Sequence, residues 1–96
     1  MHFDYDEEKA EQNYAKHGVD LLDGALIFEG DTFEWLDTRK DYGEDRYVAT
    51  GMADGQLLVV VYVRRGDVIR LISTRKGGSR DRKKYEKTIA SRDPSA

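Results

Sequence analysis

A chain of 96 residues with no cysteine and a single proline has the length of one domain, with a modest core and no disulfide to staple it, which fits a reducing compartment. The formal net charge is -3, but residues 1–63 carry five basic and 15 acidic side chains, and residues 64–96 carry 11 basic and four acidic ones. Binding follows the local field, so the acidic total does not exclude a nucleic-acid partner for the basic third. The start, "MHFDYDEEKAEQ", offers no apolar leader, and the longest apolar run, Leu57 to Val63, is too short to cross a bilayer, so the expectation is a soluble, cytoplasmic protein without membrane contact.

"FDYDEEKAEQNYAKHG" predicts a short strand and then a helix with strong end signals. Asp6 is its N-cap, Glu7 and Glu8 suit the positive end of the helix dipole, Lys16 and His17 suit the negative end, and Gly18 takes the C′ position. Ala10, Asn13, Tyr14 and His17 fall on one face, which is half polar where a purely structural face carries aliphatics. "VDLLDGALIFEG" predicts a second short helix, capped by Asp20, with Leu21, Leu22, Ala25, Leu26 and Phe28 as its apolar stripe. "TFEWLD" alternates Phe33, Trp35 and Asp37 against Glu34 and Leu36, as a strand does, and "RKDYGED" is a loop.

"RYVATGMA", a turn at Asp54–Gly55, "QLLVVVYVRR", a turn at Gly66–Asp67 and "VIRLISTR" form an antiparallel meander. The unbroken apolar centre of its middle strand marks a strand covered on both faces. Ser79 is expected to cap a last helix, "RDRKKYEKTIA", whose Tyr85 and Ile89 dock on the sheet, and residues 92–96 form a loose tail after a single domain of residues 1–91. The class is therefore α+β, with two N-terminal helices and a C-terminal helix packed on an antiparallel β-sheet.

"DYDEEKAEQNYAKHGV", "RYVATG", "LLVVVYV" and "IRLISTRKGGSRDRKKYE" together resemble the BrnT family of bacterial toxins. The matching positions are Asp6, Lys9, Asn13, Lys16, His17 and Gly18, then Arg46 and Tyr47, then Ile69, Arg70, Ile72, Ser73, Arg75 and Lys76. K-H-G alone is a weak signal, whereas several motifs in order from Phe3 to Tyr85 are specific. The resemblance implies an endoribonuclease toxin of a type II toxin–antitoxin pair, with a small RelE-like ribonuclease fold. It also implies a cognate BrnA-like antitoxin that binds operator DNA, so that DNA is met only through the antitoxin. The chain departs from the family pattern at Gly77 and Gly78, where alanine is usual, and at Arg82, where an acid is usual three residues after a Ser or Thr cap.

Metal-independent RNA cleavage needs a base for the 2′-hydroxyl proton, donors for the charge growing on phosphorus, and an acid for the leaving oxygen. An ordinary imidazole titrates near ~6.5 and serves either proton role. His17 fits that chemistry, and it equally fits a cation closing the helix C-terminus. Arginine forks pair two phosphate oxygens at once, which makes Arg46 and Arg75, at strand ends, the expected clamps on one phosphate beside His17. Arg70 sits mid-strand among apolar residues and is read either as an RNA contact or as a structural partner of Asp4, Asp6 or Glu44. Tyr85 is read as a proton donor or stacking group, or as a sheet anchor. Lys16 is read as an RNA contact, and Arg80, Lys83, Lys84 and Lys87 as an RNA backbone track, as a dock for an acidic antitoxin, or as plain solubility. No metal site and no cofactor are expected: there is no His/Cys cluster, no calcium-loop spacing and no G-x-x-x-x-G-K loop. Two other functions fit the same residues, a non-catalytic antitoxin-binding regulator and a simple nucleic-acid-binding module.

Overall fold

In the computed structural model, which describes residues 1–92, the alternating segments become the strands of one five-stranded sheet. The order along the chain is β1 (His2–Asp4), α1 (Glu7–His17), a 3₁₀ helix (Leu21–Glu29), β2 (Thr32–Asp37), β3 (Arg46–Ala53), β4 (Gln56–Arg65), β5 (Val68–Lys76) and α2 (Ser79–Ser91). Across the sheet the order is β1-β5-β4-β3-β2. Strands β2 to β5 are an antiparallel meander, of which β3 to β5 are the part their turn residues predict. The sheet is nonetheless mixed, not antiparallel throughout: β1 lies parallel to β5, with Phe3 opposite Ile69. A chain that leaves β1 through a helix and returns at the far side of the sheet has the long crossover a parallel pair requires.

The second helix differs from expectation in its period. The segment Leu21–Glu29 is wound as a 3₁₀ helix, and its buried residues are Leu21, Gly24 and Ile27, three apart. Three residues per turn brings i and i+3 into register, so Leu22, in the stripe expected of an α-helix, is left 44% exposed. Gly24 is required there, because a Cβ would run into the side chains of Thr74 and Val60. This helix closes one face of the sheet over Ala49, Leu58, Val60, Tyr62, Ile69 and Leu71. Phe28 meets Tyr62 edge-on at 5.2 Å, and Tyr47 stacks on Tyr62 at 5.6 Å. The Tyr62 hydroxyl donates to the Glu34 carboxylate; burial, then that carboxylate, push the phenol well above its ordinary range.

Helix α1 begins and ends as its sequence dictates. Asp6 accepts from the Glu8 and Lys9 N–H groups, and Gly18, at φ 68°, donates to the Tyr14 carbonyl. Its inward residue is Asn13, while Tyr14, expected on the same face, is 63% exposed. Because β1 is short, the outer edge of β5 beyond Arg70 has no neighbouring strand. Asn13 fills that role: its Nδ2 donates to the Thr74 and Val19 carbonyls, and its Oδ1 accepts from the Thr74 N–H, all at 2.9 Å. A buried strand edge is thereby satisfied by one side chain.

The last helix starts one residue earlier than its expected cap. Gly78 is the N-cap, and its N–H donates to the Asp81 carboxylate at 2.9 Å, so the acid three residues after the cap is present as Asp81 once the count starts from Gly78. Gly77 is needed because a Cβ would lie 2.6 Å from Leu57 Cδ2. Arg92, expected in the tail, donates to the Thr32 carbonyl at 2.7 Å; the rest of the expected tail, residues 93–96, lies outside the described residues.

Candidate active site

The sheet face opposite the 3₁₀ helix is built in three rungs, read directly from the register. Asp37, Arg46, Val63, Arg70 and Asp4 form the first; Trp35, Val48, Val61 and Ser73 the second; Phe33, Thr50, Val59 and Arg75 the third. Successive rungs are two residues apart along β3 and β4, so all of these side chains share one face. Helix α2 lies at one end of it, against β2 and β3. Arg46 and Arg75 therefore face the same way without meeting. They are four residues apart in register, roughly 13 Å along the strands, and two strands apart, roughly 10 Å across.

His17 and Ser73 line one shallow depression of about 230 Å³ with Lys9, Lys16 and Asn13. Its position follows from the Asn13 hydrogen bonds, which pin α1 to the edge of β5 and hang the end of the helix beside Ser73. His17 is half-buried, and Lys9 and Lys16 are exposed. Arg75 is two residues from Ser73 on the same face. The opening motif and the I-S-x-R motif, whose His17 and Ser73 are 56 residues apart, thus form one basic corner.

The other expected residues are placed as follows. Arg75 pairs with Asp81 through two contacts, 2.9 and 3.4 Å, and its hydrogen bond to Asp81 is the main reason that carboxyl sits below its ordinary range. Arg70 pairs with Asp4 at 2.6 Å. Arg46 lies over the Tyr42 ring, 4.1 Å from its centre, and its Nε is buried with no hydrogen-bond partner among the described residues. Tyr85 is half-buried against the sheet and donates its hydroxyl proton to the Asp31 carbonyl at 3.1 Å. Arg80, Lys83, Lys84 and Lys87 project from the exposed side of α2, and among the described residues none is in a salt bridge.

Four participants were not singled out as site residues by sequence reasoning: Trp35, Asp37, Arg39 and Tyr42. Asp37 is buried and accepts from the Arg39 side chain at 2.9 Å twice, from the Arg39 N–H at 3.1 Å and from the Tyr42 hydroxyl at 3.2 Å. The Arg39 side chain, then its N–H, hold the Asp37 carboxyl well below the ordinary carboxylate range. This knot orders the loop between β2 and β3 and sets the ring beneath Arg46. The signal for Trp35 was its alternation with Phe33 and Asp37, which fixes a shared face but not whether that face is covered. A cleft of about 260 Å³ opens there, lined by Trp35, Val48, Val59, Val61, Arg39 and Arg75.

Among the described residues, no three His, Asp or Glu side chains gather as they would to hold a metal ion, and no helix is long and apolar enough to cross a membrane. No curated protein matches the chain. A family model does match, over residues 5–81, and its description is the ribonuclease toxin BrnT of a type II toxin–antitoxin system. The match takes in the α1 motif, the rungs except Asp4, and Asp81, and stops as α2 begins.

Proposed function

The chain belongs to the BrnT family of ribonuclease toxins of type II toxin–antitoxin systems, and from that premise we propose that it cuts RNA without a metal, with His17 and Arg75 at the scissile phosphate. Family membership implies an antitoxin partner; that the partner is BrnA-like and carries the DNA-binding function is part of the proposal, as are a RelE-like relationship of the fold and action in the cytoplasm. One observation carries the catalytic reading: His17, from a helix end, shares a shallow depression with Ser73, and Arg75 lies two residues along β5 from Ser73 on the same face.

In this mechanism the His17 imidazole takes the proton of the 2′-hydroxyl as its oxygen bonds to phosphorus. The bond to the 5′ oxygen breaks, and that oxygen leaves with a proton returned by the imidazolium. The Arg75 fork stabilises the charge that grows on the phosphoryl oxygens. To do so it exchanges Asp81 for phosphate. Lys16 sits at the same corner to hold the neighbouring backbone. Arg46, too far along the face for the same phosphate, meets the next part of the strand with its unpartnered Nε. Arg80, Lys83, Lys84 and Lys87 extend the backbone track along α2. Arg70 is satisfied by Asp4, and Tyr85 by Asp31, so the mechanism needs neither for chemistry.

The Arg75–Asp81 pair favours a second reading, a non-catalytic regulator that binds its antitoxin through the same basic face. Induced expression with and without the adjacent gene separates the two. The ribonuclease reading predicts arrested growth and fragmented RNA for the chain alone and rescue by its neighbour. Normal growth with intact RNA contradicts it.

A further inference from the structure

We infer that Trp35 is the stacking platform for one unpaired base of the RNA, in the cleft beside Arg75, an inference that rests on the ribonuclease reading and names its substrate as single-stranded. Trp35 stands on the middle rung at the edge strand of the sheet, beside the buried Val48, and is 39% exposed. It is not left loose. The Phe33 ring props it at 5.0 Å, tilted by 41°, and Val48 and Val61 complete its rung. The result is an indole propped on one side by Phe33 and, among the described residues, open to the cleft on the other.

The surroundings select the occupant. At about 260 Å³ the cleft falls just under the roughly 300–1,000 Å³ typical of small-molecule sites, which suits one flat base better than a cofactor. Val48, Val59 and Val61 form an apolar floor, and Arg75 and Arg39 stand at its rim. A flat apolar group with an anion attached is the description of a nucleotide within a strand. The carboxylate at the rim, Asp37, is engaged by Arg39 and Tyr42, so that pair adds no net charge and Arg75 is the rim cation left for the phosphate. A base still paired within a duplex cannot present its face to the indole, and this restricts the site to single strands.

Trp35 is the sole tryptophan, so its emission reports the site directly. The purified full chain is titrated with a short 2′-deoxy single strand, which lacks the attacking hydroxyl, with the same strand made abasic, and with inorganic phosphate. Quenching by the base-bearing strand alone is expected. Binding of a labelled strand, followed by anisotropy, weakens roughly ten-fold or more in Trp35→Leu and is largely kept in Trp35→Phe. In RNA cleavage Trp35→Leu raises KM and leaves kcat nearly unchanged. Equal quenching by base-bearing and abasic strands, or unchanged binding in Trp35→Leu, overturns the inference. So does indole shielding by the antitoxin with no response to bases, which assigns the cleft to a protein partner. Should Trp35→Leu fail to fold, the wild-type titration and Trp35→Phe still decide. If the wild type is quenched by bases but cuts no RNA, the stacking site stands and the ribonuclease reading falls.

Discussion

The two faces of the sheet are made from the same strands and end up with opposite character. On one, a 3₁₀ helix buries Leu21, Gly24 and Ile27 against Ala49, Leu58, Val60 and Leu71, and the polar groups that enter are fully matched, Thr74 Oγ1 to the Leu21 carbonyl at 3.0 Å and Tyr62 to Glu34. On the other, among the described residues α2 lies at one end and none of its residues is fully buried, although Val48, Val59 and Val63 of the sheet are. There the chain leaves Trp35 exposed, and among the described residues the buried Nε of Arg46 has no partner. Buried polar groups elsewhere in proteins are nearly always satisfied, so this imbalance marks the second face as built for something besides stability.

Substitutions on the two faces should therefore fail in different ways. On the open face Arg75→Ala is expected to lower RNA cleavage by about 10²–10³ while circular dichroism and the antitoxin complex are unchanged. An equally active Arg75→Ala would make that residue a helix anchor through Asp81 and nothing more. At the edge of β5 Asn13→Leu should act on stability first, and on cleavage only through the placement of His17. It strips the Thr74 N–H and the Thr74 and Val19 carbonyls of their partners, a loss on the order of 3 kcal/mol, visible as a lower midpoint in denaturant. A stable Asn13→Leu would mean that water takes over the β5 edge.

Smaller effects sharpen the boundary between the site and its surroundings. Replacing Arg80, Lys83, Lys84 and Lys87 together by glutamine should flatten the salt dependence of RNA binding, with stability held within about 0.5 kcal/mol. An unchanged slope would assign the stripe to solubility. Asp81 provides the smallest effect. Its carboxyl is depressed in the folded chain, so its contribution is fully present above its ordinary value near ~3.9 and is lost as pH falls below that, towards the folded value. Asp81→Asn should therefore lose a little stability at neutral pH and show a shallower acid transition than the parent.

How much of this was legible in the sequence depends on whether a signal is local. The caps of α1, the two glycine turns and the meander were readable because Asp6, Gly18, Gly55 and Gly66 act within a few residues of themselves. The 3₁₀ winding was not: Leu21, Leu22, Ala25 and Leu26 satisfy an α-helical stripe equally well, and only contact with Val60 and Thr74 selects a period of three. The parallel β1 and the edge-filling role of Asn13 were hidden for the same reason, since both depend on β5, more than 60 residues away. For the site, the sequence named His17, Arg46 and Arg75 but placed them on one phosphate. The register separates Arg46 from Arg75, and the cleft that joins Trp35 to Arg75 exists only once four strands are side by side.

The central claim is that His17 and Arg75 carry out metal-independent RNA cleavage at the corner around Ser73. It is tested most directly by the pH–rate profile of RNA cleavage by the purified chain and its His17→Ala variant, with a metal chelator present throughout. The parent is expected to cut in chelator with a rate that changes through neutral pH, and folded His17→Ala to be slower by about 10²–10³ with a flat profile in that range. Cleavage by the parent that stops in chelator, or a His17→Ala variant with the parent's rate and profile, would contradict it.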